Sequence, residues 1–136
     1  MRLLVLREHS RAQLHRKLLA KGAEIELLDG VLDSLEKRGY LSDERFTEQY
    51  IDLRKRRGFG PARIRLELRE RGVDSALVEM WLDDRDEAWL RLLEETCRRK
   101  FGTTQPVDFK ERAKRARFLE YRGFPSEMIR QVLWQE

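Results

Sequence analysis

The amino-acid sequence predicts an all-α protein built from three tandem three-helix repeats of about 50 residues, stacked into an elongated, curved array. Three observations support this fold class. Hydrophobic residues make up 40% of the 136-residue chain, while only 3 Pro and 8 Gly interrupt it. A basic residue followed by glycine recurs at Lys21-Gly22, Arg71-Gly72 and Arg122-Gly123, with spacings of 50 and 51 residues. Apolar residues recur at the same offsets after each glycine.

These offsets predict a helix after every repeated glycine. The apolar positions lie 5, 6, 9 and 10 residues beyond it, which is the spacing of one face of an amphipathic helix. They are Leu27, Leu28, Val31 and Leu32 in the first repeat; Leu77, Val78, Trp81 and Leu82 in the second; and Met128, Ile129, Val132 and Leu133 in the third. The glycine itself is expected to end the preceding helix, because a residue without Cβ adopts a left-handed conformation at least cost.

Two further helices are predicted upstream of each glycine. The middle helices begin near Ser10, near Pro61 and within 106–108, since Ser and Asp favour N-caps and Pro favours the first helical position. The first helices span about 42–57 and 84–101, but only residues 1–8 are available in the first repeat. About nine helices are therefore expected, with a shortened first helix and no strand.

The repeats divide the single predicted array domain, residues 1–136, into segments 1–39, 40–83 and 84–136. No apolar stretch near the start reaches the length of a signal peptide or a membrane span. The lone Cys97 cannot form an internal disulfide, and its position on an apolar helical stripe favours a core role. These features predict a cytoplasmic protein that does not enter membranes. We also expect it to be a monomer.

Charge follows the repeat. Net charge is +5, +6 and +6 in residues 1–22, 54–72 and 98–122, against −6, −6 and −1 in residues 23–53, 73–97 and 123–136. Basic and acidic helices can simply complement one another as neighbours. Alternatively, stacking brings the basic middle helices to one side as a surface for nucleic acid or an acidic protein groove. The candidate partner- or DNA-facing residues are Arg54, Lys55, Arg56, Arg57, Arg63, Arg65, Arg69, Arg112, Lys114, Arg115 and Arg117.

One apolar residue lies among these cations without a clear role. Leu66 falls almost opposite Ile64 on the second middle helix, away from the predicted buried face. It either packs between repeats, which the stacked arrangement favours, or forms an apolar contact on the outer face.

No catalytic or cofactor motif stands out. Glu8, His9 and Ser10 are adjacent, but adjacency does not create triad geometry, and Ser10 is better explained as an N-cap. The acidic residues near 83–87 suit a helix start. The chain lacks a GxxxxGK[ST] phosphate loop. We therefore expect a protein that is not an enzyme and needs no cofactor.

Several motifs together resemble the RecX family of bacterial recombination regulators. They cover essentially the whole chain: Arg7-Glu8-His9-Ser10 with Leu14, Lys17, Leu18 and Gly22; Gly39-Tyr40-Leu41-Ser42-Asp43-Glu44-Arg45-Phe46; Gly60 with Arg63-Ile64, Glu67-Leu68 and Gly72; and Phe118-Leu119 with Arg122-Gly123-Phe124. Departures are a start inside the expected first helix, Gln13 where an acidic residue is common, and Pro125 where a serine is usual.

The resemblance implies a regulator of the RecA recombinase. Such a protein would bind the RecA–DNA filament, lie in its helical groove and inhibit ATP hydrolysis, strand exchange and co-protease activity, and thereby modulate DNA repair and the SOS response. Weak non-specific DNA binding is compatible with this role. The alternative hypothesis is a direct DNA-binding module that resembles a trihelical helix-turn-helix array. The family brings no catalytic motif to carry over.

Overall fold

The computed structural model describes residues 7–134, which form eight α-helices and no β-strand. The helices are α1 (Arg11–Ala20), α2 (Ile25–Lys37), α3 (Asp43–Arg56), α4 (Pro61–Glu70), α5 (Ser75–Trp81), α6 (Glu87–Phe101), α7 (Phe109–Tyr121) and α8 (Ser126–Leu133). The second and third repeats contain three helices each, α3–α5 and α6–α8. Most of the short first helix predicted at 1–8 lies outside the described residues.

The chain folds as two compact units, and α3 and α4 each contribute residues to both of them. Unit 1 comprises Met1–Ile51 and Glu67–Trp81, and unit 2 comprises Asp52–Leu66 and Leu82–Glu136. Each unit has its own apolar core. In unit 1 the core is built from Leu14, Leu32, Leu35 and Leu41, with Leu18 packed against it. In unit 2 it is built from Leu93, Cys97, Ala116, Leu119, Phe124, Ile129 and Leu133.

The start of α1 is fixed by a capping box. Ser10 accepts a hydrogen bond from the Gln13 backbone N–H, and the Gln13 side chain accepts one from the Ser10 backbone N–H. Because a glutamine oxygen accepts this bond as a glutamate would, the departure at Gln13 leaves the cap intact. Arg11 then ties α1 to α2 through Asp33 at 2.8 Å and through Glu36.

Each unit contains one junction where a repeated glycine turn packs against the start of a middle helix. In unit 1 the Ser10 hydroxyl donates to the Arg71 carbonyl at 2.6 Å, and a Cβ on Gly72 would lie 2.3 Å from Ala12 Cβ. Atoms cannot approach that closely, so only glycine fits. The turn glycines have positive φ, +79° at Gly72 and +94° at Gly123, as predicted.

The junction in unit 2 uses backbone donors in place of the serine hydroxyl. The Gly60 N–H donates to the Arg122 carbonyl at 2.7 Å, and the Ala62 N–H donates to the Gly123 carbonyl at 3.0 Å. These are the orphan donors at the start of α4, which begins at Pro61 as predicted. A Cβ on Gly123 would lie 2.2 Å from Arg63 Cβ and 2.6 Å from the Arg63 nitrogen.

The helices that follow the repeated glycines are confirmed, but their buried face is narrower than the apolar pattern. Offsets 6 and 10 are buried in every repeat: Leu28 and Leu32, Val78 and Leu82, Ile129 and Leu133. The other two offsets are half-buried or exposed, and Leu27, Val31 and Trp81 are exposed. The residues at offsets 6 and 10 lie one helical turn apart and form the buried face. The residues at offsets 5 and 9 lie beside that face and are turned toward solvent.

Two other sequence expectations need correction. Leu66 is 60% exposed, so the interpretation that it packs between repeats is wrong and it lies on an outer face. Helix α6 begins at Glu87, not near residue 84, because the Asp86 carboxylate accepts from the Ala88 N–H and forms the N-cap.

We predict that Gly123→Ala destabilises the protein far more than Gly22→Ala. Both glycines have φ near +95°, so each alanine costs about 1–2 kcal/mol of backbone strain. Nothing lies within 4 Å of a Cβ at Gly22, whereas at Gly123 the Arg63 backbone is in the way, which adds about 1–3 kcal/mol. Thermal unfolding of the two variants measures the difference. Equal losses would show that the junction does not depend on close approach.

Candidate functional site

The eleven basic residues singled out from the sequence lie in three different environments. Five are exposed on the surface: Arg56, Arg57, Arg69, Lys114 and Arg117. Five are half-buried: Arg54, Lys55, Arg63, Arg65 and Arg112. Arg115 is buried. Only the first group is exposed to solvent, and within it Arg56 pairs with Asp52 at 2.5 Å, so the candidate surface is smaller than the sequence suggests.

The half-buried cations in unit 2 contact aromatic rings and polar groups of the same unit. The Arg54 guanidinium lies 3.8 Å from the centre of the Phe59 ring, and the Lys55 ammonium lies 4.7 Å from that of Trp89. Arg65 forms an ion pair with Asp84 at 2.7 Å. The interpretation that basic and acidic segments complement each other therefore holds for this pair.

Arg63 is also committed within unit 2. Its guanidinium donates to the Tyr121 carbonyl at 3.1 Å and lies 4.9 Å from the centres of the Phe59 and Tyr121 rings. Arg63 thus covers the glycine turn of the third repeat. Charge reversal there would disturb folding as well as any binding surface.

The sequence placed Arg115 among the partner- or DNA-facing residues, but the structure buries its side chain. It is 7% exposed, donates to the Thr104 carbonyl at 2.9 Å and pairs with Glu111 at 3.3 Å. Its guanidinium also lies 5.2 Å from the centre of the Phe101 ring. The sequence showed a helix basic on several sides, but it did not show that the loop before α7 supplies a carbonyl for one of those cations.

The exposed cations of α7 form one stripe. Lys110, Lys114 and Arg117 follow each other at intervals of four and three residues, which places them on the same face of the helix. All three are exposed, whereas Ala116 and Leu119 on the other side enter the core. We call Lys110, Lys114 and Arg117 the basic stripe. Lys110 was not among the eleven candidates, although its spacing from Lys114 is visible in the sequence.

A second group of cations surrounds a cleft in unit 2. The cleft has a volume of about 310 Å³ and is lined by Arg57, Gly58, Thr96, Arg99, Lys100, Phe118 and Arg122. We call it the cationic cleft. Of its four basic residues only Arg57 was a candidate from sequence. The others lie at the ends of α6 and α7, and only the packing of these two helices brings them together.

The residues considered for catalysis have structural roles. Ser10 is the N-cap of α1, as predicted. Cys97 lies in the core of unit 2, and burial raises the pKa of its thiol above the ordinary value, which opposes thiolate chemistry. Among residues 7–134 no three His, Cys, Asp or Glu side chains come together as metal ligands, and no helix is long and apolar enough to span a membrane.

His9 is buried beside a cation. Its Nε2 lies 2.9 Å from the Lys17 ammonium, and its Nδ1 lies 3.2 Å from the Arg7 carbonyl. A neutral ring protonated on Nδ1 satisfies both contacts. Burial, and then the positive charge of Lys17, lower the pKa of His9 below its ordinary value of 6.5.

We predict that the lowered pKa of His9 makes the protein less stable at acidic pH. The unfolded chain takes up this proton more readily than the folded chain. The contribution of His9 to stability is therefore complete above about pH 6.5 and falls as the pH drops below that value. Urea unfolding between pH 7.5 and 5 should show a smaller loss of stability in His9→Gln than in the wild type. Parallel curves would contradict this expectation.

We predict that removing the charge of Arg115 destabilises the protein, whereas removing that of its neighbour does not. Arg115→Met leaves the Thr104 carbonyl and the Glu111 carboxylate without their charged donor, which should cost about 2 kcal/mol or more. Lys114→Met changes an exposed residue and should shift stability by less than about 0.5 kcal/mol. Urea unfolding compares the two, and an equal effect would place Arg115 at the surface.

Comparison with known proteins identifies the family. Residues 42–82 match the model of the second three-helix domain of RecX, and residues 86–133 match that of the third. The chain is 47% identical over 133 residues to the "Regulatory protein RecX" of Pseudomonas fluorescens strain SBW25, covering 98% of this chain and 86% of that protein. It is 44% identical to the "Regulatory protein RecX" of Ectopseudomonas mendocina, covering 98% and 89%.

Solved structures show the same fold. The crystal structure of RecX from Lactobacillus salivarius superimposes with a TM-score of 0.79 at 18% identity, covering 98% of this chain and 89% of that one. A second crystal structure of a regulatory protein RecX gives the same TM-score and identity, with 98% and 67% covered. At this identity the structures establish the fold, and the matches in sequence establish the family. The chain belongs to the RecX family of regulatory proteins.

Proposed function

We propose that this protein is a negative regulator of the RecA recombinase that binds the RecA–DNA filament and inhibits ATP hydrolysis, strand exchange and co-protease activity. It would thereby modulate DNA repair and the SOS response. The observation that carries the proposal is membership of the RecX family over 98% of the chain. We further propose that it acts in the cytoplasm, as a monomer, by binding and without catalysis.

The basic stripe is the surface that we assign to filament binding. It offers three exposed cations on one rigid helix, and α7 is anchored to the core of unit 2 through Ala116 and Leu119. A DNA-containing filament is strongly anionic, so such a surface raises the rate of encounter and orients the protein. The three cations of the basic stripe form no ion pair with any residue among 7–134, so binding a partner breaks none there.

Regulation by many small contacts fits a protein built from repeats. A single exposed charge pair contributes about 1 kcal/mol or less, and salt screens it. Several such contacts on one chain act together, because once the first is made the others form at a high effective concentration. A regulator bound across neighbouring recombinase subunits would oppose the rearrangements needed for turnover of ATP.

We predict that reversing two charges of the basic stripe, Lys114→Glu/Arg117→Glu, weakens inhibition of RecA. Wild-type protein, titrated into RecA hydrolysing ATP on single-stranded DNA, should inhibit at well below one molecule per recombinase. The variant should need about tenfold more protein, which corresponds to about 1.4 kcal/mol of lost binding. Both residues are exposed, so circular dichroism should show an unchanged fold.

The matched control is Arg91→Glu/Arg130→Glu, which makes the same change in net charge at two exposed positions of α6 and α8. It should inhibit nearly as well as the wild type. An equal loss in both variants would show that total charge, not the basic stripe, governs binding. Absence of inhibition by folded wild-type protein would refute the proposed function itself.

A further inference from the structure

The cationic cleft has the charge of an anion site. It is bordered by Arg57, Arg99, Lys100 and Arg122, and none of its lining residues is acidic. Arg99 pairs with Glu95 at 2.6 Å, but this carboxylate does not line the cleft. Four cations around about 310 Å³ repel each other, and a bound anion would relieve that repulsion.

The walls of the cleft are held in place by contacts within unit 2. Arg122 donates to the Arg57 carbonyl at 2.7 Å, and its guanidinium lies 4.8 Å and 5.0 Å from the centres of the Phe59 and Phe118 rings. Lys100 lies 5.6 Å from the centre of the Phe118 ring. Arg122 and Lys100 are therefore positioned before any ligand arrives, so less conformational entropy is lost on binding.

The corresponding place in unit 1 contains its own anion. There Arg71 stands where the repeat places Arg122, and Glu67 stands where it places Phe118. The Tyr50 hydroxyl donates to the Glu67 carboxylate at 2.8 Å, and Arg71 lies 4.9 Å from the centre of the Tyr50 ring. In unit 2 the carboxylate is replaced by an apolar ring, and Glu95 pairs with only one of the four cleft cations, so an external anion would offset the remaining positive charge.

The surrounding charges favour a polyanion over a single carboxylate. Arg98, next to Arg99 in sequence, is exposed, whereas the exposed Arg56 is paired with Asp52 at 2.5 Å. Arg98 therefore adds a cation beside the cleft residues on α6, which a chain of evenly spaced phosphates would use. Guanidinium groups also match phosphate oxygens through paired hydrogen bonds. One aspartate or glutamate would offset only one of the four cations.

We propose that the cationic cleft binds a backbone phosphate of DNA, with Arg57, Arg99, Lys100 and Arg122 as its ligands. The inference rests on the proposed function for the source of the phosphate, since DNA is part of the filament. It goes further in assigning a direct contact with DNA to named residues and in separating that contact from the basic stripe.

The test uses naked DNA, so that its outcome is independent of RecA. Fluorescence anisotropy measures binding of a labelled 15-nucleotide single strand to the wild type and to Arg99→Gln/Lys100→Gln over a range of KCl concentrations. The variant should bind about tenfold more weakly, and the slope of log K against log salt should fall by roughly 1.4 for two lost contacts. Arg91→Gln/Arg130→Gln, the control with equal net charge, should change affinity less than about twofold.

Two further probes decide the nature of the ligand. The same oligonucleotide with uncharged methylphosphonate linkages should lose the effect of the cleft substitutions, and poly-glutamate should bind the wild type and the cleft variant equally. Equal weakening in the cleft and control variants would overturn the proposal, as would poly-glutamate binding that depends on Arg99 and Lys100. Loss of DNA binding with intact inhibition of RecA would leave the proposed function standing.

Discussion

The architecture depends on one contact, in which a glycine turn closely approaches the start of the middle helix of the preceding repeat. It occurs once in each unit, with Gly72 against Ala12 and with Gly123 against Arg63. At both places the turn presents a carbonyl to a donor at the helix start, the Ser10 hydroxyl in one unit and the Gly60 N–H in the other. In unit 2 the turn therefore caps free N–H groups at the helix start, and in unit 1 it accepts a hydrogen bond from the serine that caps α1. In both units this contact joins one repeat to the next.

The basic residues that precede the glycine turns have structural roles of their own. A residue with a long cationic side chain precedes every repeated glycine, and in the described junctions it is used locally: Arg71 lies over the Tyr50 ring, and Arg122 lies between two rings. Part of the positive charge is therefore structural. The cations left for partners are those on exposed helix faces, above all the basic stripe of α7, together with Arg57, Arg99 and Lys100 at the cationic cleft, where Arg122 serves both roles.

The fold could be predicted from the sequence because local features that repeat along the chain determine it. Glycine spacing, apolar offsets, Pro61 and Ser10 each act within a few residues, and three copies reinforce one another. The candidate site was predicted less completely. Burial of Arg115 depends on the Thr104 carbonyl in a loop, and the cationic cleft depends on the packing of helix ends. Such contacts join residues distant in sequence, and no periodic pattern records them.

The central claim is that exposed cations of the third repeat meet the recombinase filament. Amine labelling followed by mass spectrometry tests it on unmodified protein, with RecA filaments on single-stranded DNA, with the DNA alone and without either. The account predicts that the filament lowers the reactivity of Lys110 and Lys114 several-fold, whereas that of Lys37, exposed at the end of α2, is little changed. Unchanged reactivity of Lys110 and Lys114 in protein shown to sediment with the filament would contradict it.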